Sequence, residues 1–271
     1  MKLLLCVCFA FTPLAGAEPP TFYPVPPMAS DPGITVEHLK LGSSRQAAIP
    51  AVLATVANPA GFVHVFTAGS NNTCSERVKT SETAEKHGCF YAVNGGPFDM
   101  NDGSCVGDVV SNGHVVMVDD DNAFASWGLA RNNETDGAWQ WVFGDVCSDT
   151  VADAGVQELV SGFIGPLLVS AGQPVLSGSS LVAPRTAVGI NAEGQLLLLT
   201  VDGVEDRARG MNISELAITF VELGAVEAVN LDGGGSTVAW MDGDIVDHPT
   251  CSDNATKCER TVATIICVMA E

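Results

Sequence analysis

Short apolar runs dominate this chain, and three of them share an ending. Residues 89–93 run into Asn94-Gly95-Gly96, residues 195–201 into Asp202-Gly203, and residues 225–231 into Asp232-Gly233-Gly234-Gly235-Ser236. Each pattern predicts a strand that finishes in a polar residue followed by glycine, where backbone can approach a ligand closely. If these strands share an edge, Asn94, Asp202 and Asp232 meet at one cleft, as ligands do at strand ends. Asn-Gly and Asp-Gly also form two-residue hairpin turns, which fits any single copy. Three successive glycines exceed what such a turn needs.

Further runs at 63–66, 106–110, 114–118, 167–169, 187–190, 237–241 and 261–269 read as strands. Helical spacing occurs twice. Residues 80–87 predict a short helix with Thr80 or Ser81 as its cap and Gly88 as its stop. Residues 212–223 predict the best helix, with Ile213, Leu216, Ala217, Phe220 and Val221 on one face and Gly224 ending it. The expected class is mixed α/β, a strand-rich α+β single domain over residues 34–271. Residues 18–33 are proline-rich and predict an extended arm.

Ahead of that arm, Lys2, an apolar stretch at 3–11 and Ala15-Gly16-Ala17 predict a secretory signal over residues 1–17. The stretch is too short to cross a bilayer and no later run is longer, so no membrane span is expected after its removal. The expected place is the secretory pathway, lumenal or secreted. There, the seven remaining cysteines imply three disulfides and one odd thiol. Zinc is disfavoured, because the one close pair, Cys251 and Cys258, lacks a histidine in zinc-like spacing apart from His248. Asn71, Asn133 and Asn254 are glycosylation candidates. Asn212 also lies in a sequon, but Glu215 three residues on resembles a helix-capping partner.

A formal charge of −20 argues against nucleic acid or anionic membrane as a partner, since both need a basic patch. It also makes each internal arginine informative. Arg185-Thr186 opens a strand and Arg209-Gly210 leads into the best helix, and a guanidinium fork suits a phosphate. The same arginines also have many acidic residues with which to pair. Asp99-Met100-Asn101-Asp102-Gly103 and Asp119-Asp120-Asp121-Asn122 suggest calcium, yet the glutamate an EF-hand needs at its twelfth position is Val110 here. Solvated turns account for both. The five histidines are scattered and none receives a role. No cofactor is required, and a divalent metal is left open.

Taken in order, Asn94-Gly95-Gly96-Pro97-Phe98, Arg185-Thr186-Ala187-Val188-Gly189, Asp202-Gly203, Arg209-Gly210-Met211-Asn212 and Asn230-Leu231-Asp232-Gly233-Gly234-Gly235-Ser236 resemble the phosphodiester glycosidase family. The ending Cys251-x6-Cys258-Glu259-Arg260-x-Val262-x-Thr264-x2-Cys267 resembles its animal branch. The resemblance implies a hydrolase that removes α-linked N-acetylglucosamine from a sugar phosphodiester, exposing mannose 6-phosphate on a phosphorylated glycan or glycoprotein. It also implies the disulfides Cys74–Cys105, Cys89–Cys267 and Cys251–Cys258, with Cys147 left over.

Within that frame Asp232 is the first candidate for base or nucleophile, and Asp202 for a second carboxylate or sugar-orienting group. Arg185 and Arg209 are candidates for the phosphate, with Thr186, Ser236 and the backbone N–H groups of Gly95, Gly96, Gly233, Gly234 and Gly235. Asn94 is a candidate for a sugar hydroxyl or the acetamido group. Two alternatives stand beside this reading: a phosphodiester glycosidase for another phosphate-linked glycan, and a secreted glycan-binding protein without turnover.

Overall fold

The computed structural model describes residues 19–42, 48–68, 73–120, 124–131, 137–163, 165–204, 209–251 and 258–270. The expected signal segment, residues 1–17, and the glycosylation candidates Asn71, Asn133 and Asn254 lie outside these residues. Every strand pairing among the described residues is antiparallel. With three short helices, the fold is therefore the strand-rich α+β arrangement.

Three sheets build the body. One has seven strands, with Ala225–Asn230, Arg185–Asn191, Leu196–Val201 and Ile49–Val56 side by side at its centre. A five-stranded sheet holds Ala239–Met241, Tyr91–Asn94 and Thr264–Val268 as neighbours, and a six-stranded sheet includes Ser126–Arg131 and Val156–Ser161. The main core, with Trp127, Trp141, Tyr91, Leu198 and Ile266, lies among these sheets. That is why the central strands read as unbroken apolar runs: Leu196–Val201 is buried at every position. The outer strand Ile34–Leu41 alternates instead between half-buried and exposed over much of its length.

The helices close the outer faces. Helix α1 (Thr80–His87) ends at Gly88 in the left-handed conformation, but its N-cap is Lys79, with no capping side chain of its own. Glu259 does that work from across the fold, accepting from the Ser81 N–H and hydroxyl at 2.7 Å each. Helix α2 (Ser148–Ala154) was not expected, because seven residues with only Thr150 and Val151 buried carry little periodic signal. Asp120 accepts from the Ser148 N–H and hydroxyl, so the acidic run serves a helix start. Asp99 and Asp102 accept from the N–H groups of Asn101 and Ser104, as solvated turns do.

Helix α3 (Ile213–Glu222) packs Leu216, Ala217 and Phe220 into a second core under the seven-stranded sheet. Its start is a reciprocal capping box: Asn212 accepts from the Glu215 N–H at 2.8 Å, and Glu215 accepts from the Asn212 N–H at 3.1 Å. Asn212→Ala is expected to cost about 1 kcal/mol, which for a domain of this size lowers the melting temperature by about 2–4 °C. A thermal melt showing no change would remove the capping role.

Two further features tie the chain down. Thr21–Pro24, inside the proline-rich arm, pairs with Trp139–Gly144 at the edge of the six-stranded sheet, so the arm is extended but bound. The disulfides are Cys74–Cys105, Cys89–Cys267 and Cys251–Cys258. Cys147 is buried outside these bonds, 3.4 Å from the Thr150 hydroxyl.

Candidate active site

Backbone conformation separates the polar-glycine pairs that are turns from those that are not. Asn112-Gly113 and Asp242-Gly243 have positive φ at both residues (51° and 74°, 46° and 97°), and each joins two strands as a two-residue hairpin. Gly95, Gly96, Gly203 and Gly233 are not in that region. The strand ends at Asn94, Asp202 and Asp232 are therefore not hairpins, and their backbones leave the sheets toward one another.

Pro184 and Arg185 are the hub of this meeting. Arg185 sits opposite Val201 in the sheet, which places Asp202 beside Pro184. Gly234 N–H donates to the Pro184 carbonyl at 2.9 Å, laying the glycine loop on the other side. Asn94 closes the third edge: its amide donates to the Asp232 carbonyl at 2.8 Å, while its oxygen accepts from the Thr186 hydroxyl at 2.6 Å and the Val238 N–H at 3.3 Å. The Asp232 N–H donates to the Gly95 carbonyl. Asn94 is fully buried, and in this structure its side chain rivets two sheets together. Thr186 and Ser236 are likewise fully buried.

The expected anion-binding role of the glycine N–H groups meets a similar fact. Gly95 and Gly96 donate to the Thr264 carbonyl and hydroxyl, Gly233 to its neighbour's Asp232 Oδ1, and Gly234 to Pro184. These donors hold the loop. The need for glycine comes from crowding instead: a Cβ on Gly95 would stand 2.4 Å from the Thr264 hydroxyl, and one on Gly235 would stand 2.6 Å from the Arg260 guanidinium and from the Cys251 Cβ.

Charge is distributed unevenly over this frame. Arg185 is buried, its guanidinium donating to the carbonyls of Met211 at 3.0 Å and Leu181 at 2.7 Å. Burial pushes its pKa down to about 10, and the nearby Asp232 carboxylate pulls it back up. Asp232 is half-buried and remains reachable from solvent. Arg209 is exposed, its backbone paired with Val204 next to Asp202-Gly203. The Arg260 guanidinium lies against the glycine loop; sequence reading met Arg260 in the C-terminal motif but gave it no site role, because no glycine or turn flanks it.

His248 and Asp247 were also missed. His248 supplies both hydrogen bonds on the Asp202 carboxylate among the described residues, through its backbone N–H at 3.1 Å and ring Nδ1 at 3.0 Å. Asp247 is buried, accepts from the Ala239 N–H at 3.0 Å, and has its pKa pushed up to about 8 by burial and by the neighbouring Asp202 and Glu259 carboxylates. Both contacts bridge more than forty positions or rest on burial, and no local spacing announces either. Among the described residues, no group of three or more histidine, cysteine, aspartate or glutamate side chains is arranged to hold a metal ion. No described helix is long and apolar enough to cross a membrane.

One half-buried carboxylate facing a buried guanidinium, with a second arginine against a glycine loop, is an arrangement suited to an anionic sugar derivative. Comparison with known proteins points the same way. The chain is 33% identical over 243 residues to bovine N-acetylglucosamine-1-phosphodiester alpha-N-acetylglucosaminidase, covering 82% of this chain and 45% of that protein. The human protein of that name is 30% identical over 276 residues, covering 94% of this chain and 52% of that one. The chain thus spans about half the length of these relatives. The solved zebrafish catalytic domain of that name, auto-inhibited by its pro-peptide, superposes with a TM-score of 0.80 at 25% identity, covering 93% of this chain and 88% of that one. A hypothetical protein from Synechocystis shares the fold, with a TM-score of 0.63 at 15% identity over 88% of this chain and 62% of that one. The phosphodiester glycosidase family model matches residues 87–269, a stretch that contains Asn94, Arg185, Asp202, Asp232 and Arg260 together, and the chain belongs to that family.

Proposed function

We propose that this chain hydrolyses the bond between α-linked N-acetylglucosamine and phosphate in a sugar phosphodiester of the N-acetylglucosamine-1-phospho-6-mannose type, exposing mannose 6-phosphate. The observation that carries the reading is the glycine loop set between two arginines, with Asp232 at its start. Arg185 Cδ lies 3.7 Å from where a Gly233 Cβ would be, and the Arg260 guanidinium lies 2.6 Å from where a Gly235 Cβ would be. Two guanidinium groups suit a phosphodiester that leaves as a phosphate monoester. Such a leaving group needs charge neutralisation more than a strong general acid, and fixed cations supply it without reorganisation. Arg209 stands at the rim, where the mannose side of the substrate would reach solvent.

Asp232 is the carboxylate that acts at the sugar carbon, as base for water or as nucleophile. Asp202 takes the sugar-orienting role, since both of its oxygens already accept from His248. Three disulfides support work in an oxidising compartment, the secretory pathway or beyond it.

The test is release of N-acetylglucosamine from α-N-acetylglucosamine-1-phospho-6-mannose by the purified chain, with and without chelator. Release is expected in both arms. No release here but release from another phosphate-linked glycan would correct the substrate. Failure on the whole panel while glycans still bind would replace hydrolysis by a binding role.

A further inference from the structure

We infer that His248 is a positioning residue that fixes the Asp202 carboxylate as a clamp for sugar hydroxyls, a role that rests on the site reading above. The geometry is unusual for a surface ion pair. The Asp202 side chain is 8% exposed, whereas that of His248 is 83% exposed. Packing therefore does little to hold the ring; the buried carboxylate holds it. Two donors from one residue meet two oxygens of the other, the backbone N–H on Oδ1 and ring Nδ1 on Oδ2. That pairing restrains rotation of the carboxylate, and donation to an ionised carboxylate requires the imidazole proton on Nδ1.

The segment is anchored on both sides of the histidine. Asp247 Oδ1 accepts from the Ala239 N–H in the five-stranded sheet, and the Thr250 hydroxyl donates to the Gly203 carbonyl at 3.4 Å. His248 is thereby clipped between two sheets, against the strand end that continues from Val201 opposite Arg185. A carboxylate oxygen accepts more than one hydrogen bond, so each Asp202 oxygen keeps capacity for a hydroxyl. Two oxygens held at the strand end beside Pro184, whose carbonyl also holds the glycine loop, suit two neighbouring hydroxyls of a hexose. The ring itself is exposed, so replacing it opens no cavity, and the backbone N–H still donates to Asp202 Oδ1 in any His248 variant.

Binding separates this role from both the catalytic reading and a structural one. Calorimetry with N-acetylglucosamine 1-phosphate and, separately, with inorganic phosphate would be run on wild type, His248→Ala and His248→Asn. Asparagine carries an amide nitrogen where the imidazole has Nδ1 and lacks any equivalent of Nε2. His248→Ala is expected to weaken the sugar phosphate about tenfold, the worth of one lost charge-assisted hydrogen bond, and to leave inorganic phosphate unchanged. His248→Asn is expected to recover most of that loss. Equal weakening of both ligands, an unaltered alanine variant, an asparagine variant no better than alanine, or no sugar-phosphate binding by wild type would each overturn the inference. Absence of phosphodiester hydrolysis with this binding pattern intact would instead overturn the proposed reaction and leave the clamp standing.

Discussion

Asp232→Asn is expected to fold as wild type does and to lose roughly 10²–10⁴ in kcat on a sugar phosphodiester. The asparagine keeps an oxygen able to accept from the Gly233 N–H, now at 2.9 Å, and the backbone bond to Gly95 does not involve the side chain. What disappears is the negative charge beside Arg185 and the basicity at the sugar carbon. Arg185 stays tethered by Met211 and Leu181, so the phosphate grip survives and KM should move far less than kcat. Near-wild-type turnover in a folded variant would transfer the chemistry to another group. Asp202 would be the first candidate, despite having both oxygens engaged by His248.

Much of this site was legible because it is built from strand ends. An apolar run that stops at Asn94, Asp202 or Asp232 and passes into glycine leaves a one-dimensional trace, and the antiparallel neighbours of Arg185–Asn191 then bring those ends together. What the trace does not carry is direction. Asn94 reads the same whether its amide meets a sugar or, as here, rivets Asp232 to Thr186. Asn112-Gly113 and Asn94-Gly95 likewise look alike until positive φ marks the first pair as a hairpin. Arg209 drew notice because glycine follows it, whereas Arg260 reaches the loop only through the fold. Helix α3 was plain from its apolar face and its cap. Helix α1 was plain in extent but not in its capping partner, because Glu259 lies 178 positions away.

Asp247 was the least legible of these groups, and its burial makes a prediction with a definite sign. Asp247→Asn is expected to stabilise the protein increasingly as pH rises from about 4 to about 8. In the folded chain the Asp247 carboxyl keeps its proton up to about pH 8, because burial and the nearby Asp202 and Glu259 carboxylates disfavour its charge. In the unfolded chain it loses that proton near pH 4. Between these values the unfolded state is favoured by release of a proton, so wild-type stability falls as pH rises through this window. The full effect is on the order of 5 kcal/mol, from a displacement of about four pH units. An amide has no proton to release and can still accept from the Ala239 N–H, so the variant escapes the loss. Paired melts at pH 4.5 and pH 8 test it. The two proteins should melt close together at the lower pH and well apart at the higher, with the variant above. A difference that stays constant with pH would mean that Asp247 is ionised in the folded protein. In that case two charged carboxylates, Asp247 and Asp202, would stand close together at this edge, and their repulsion would have to be offset within the fold.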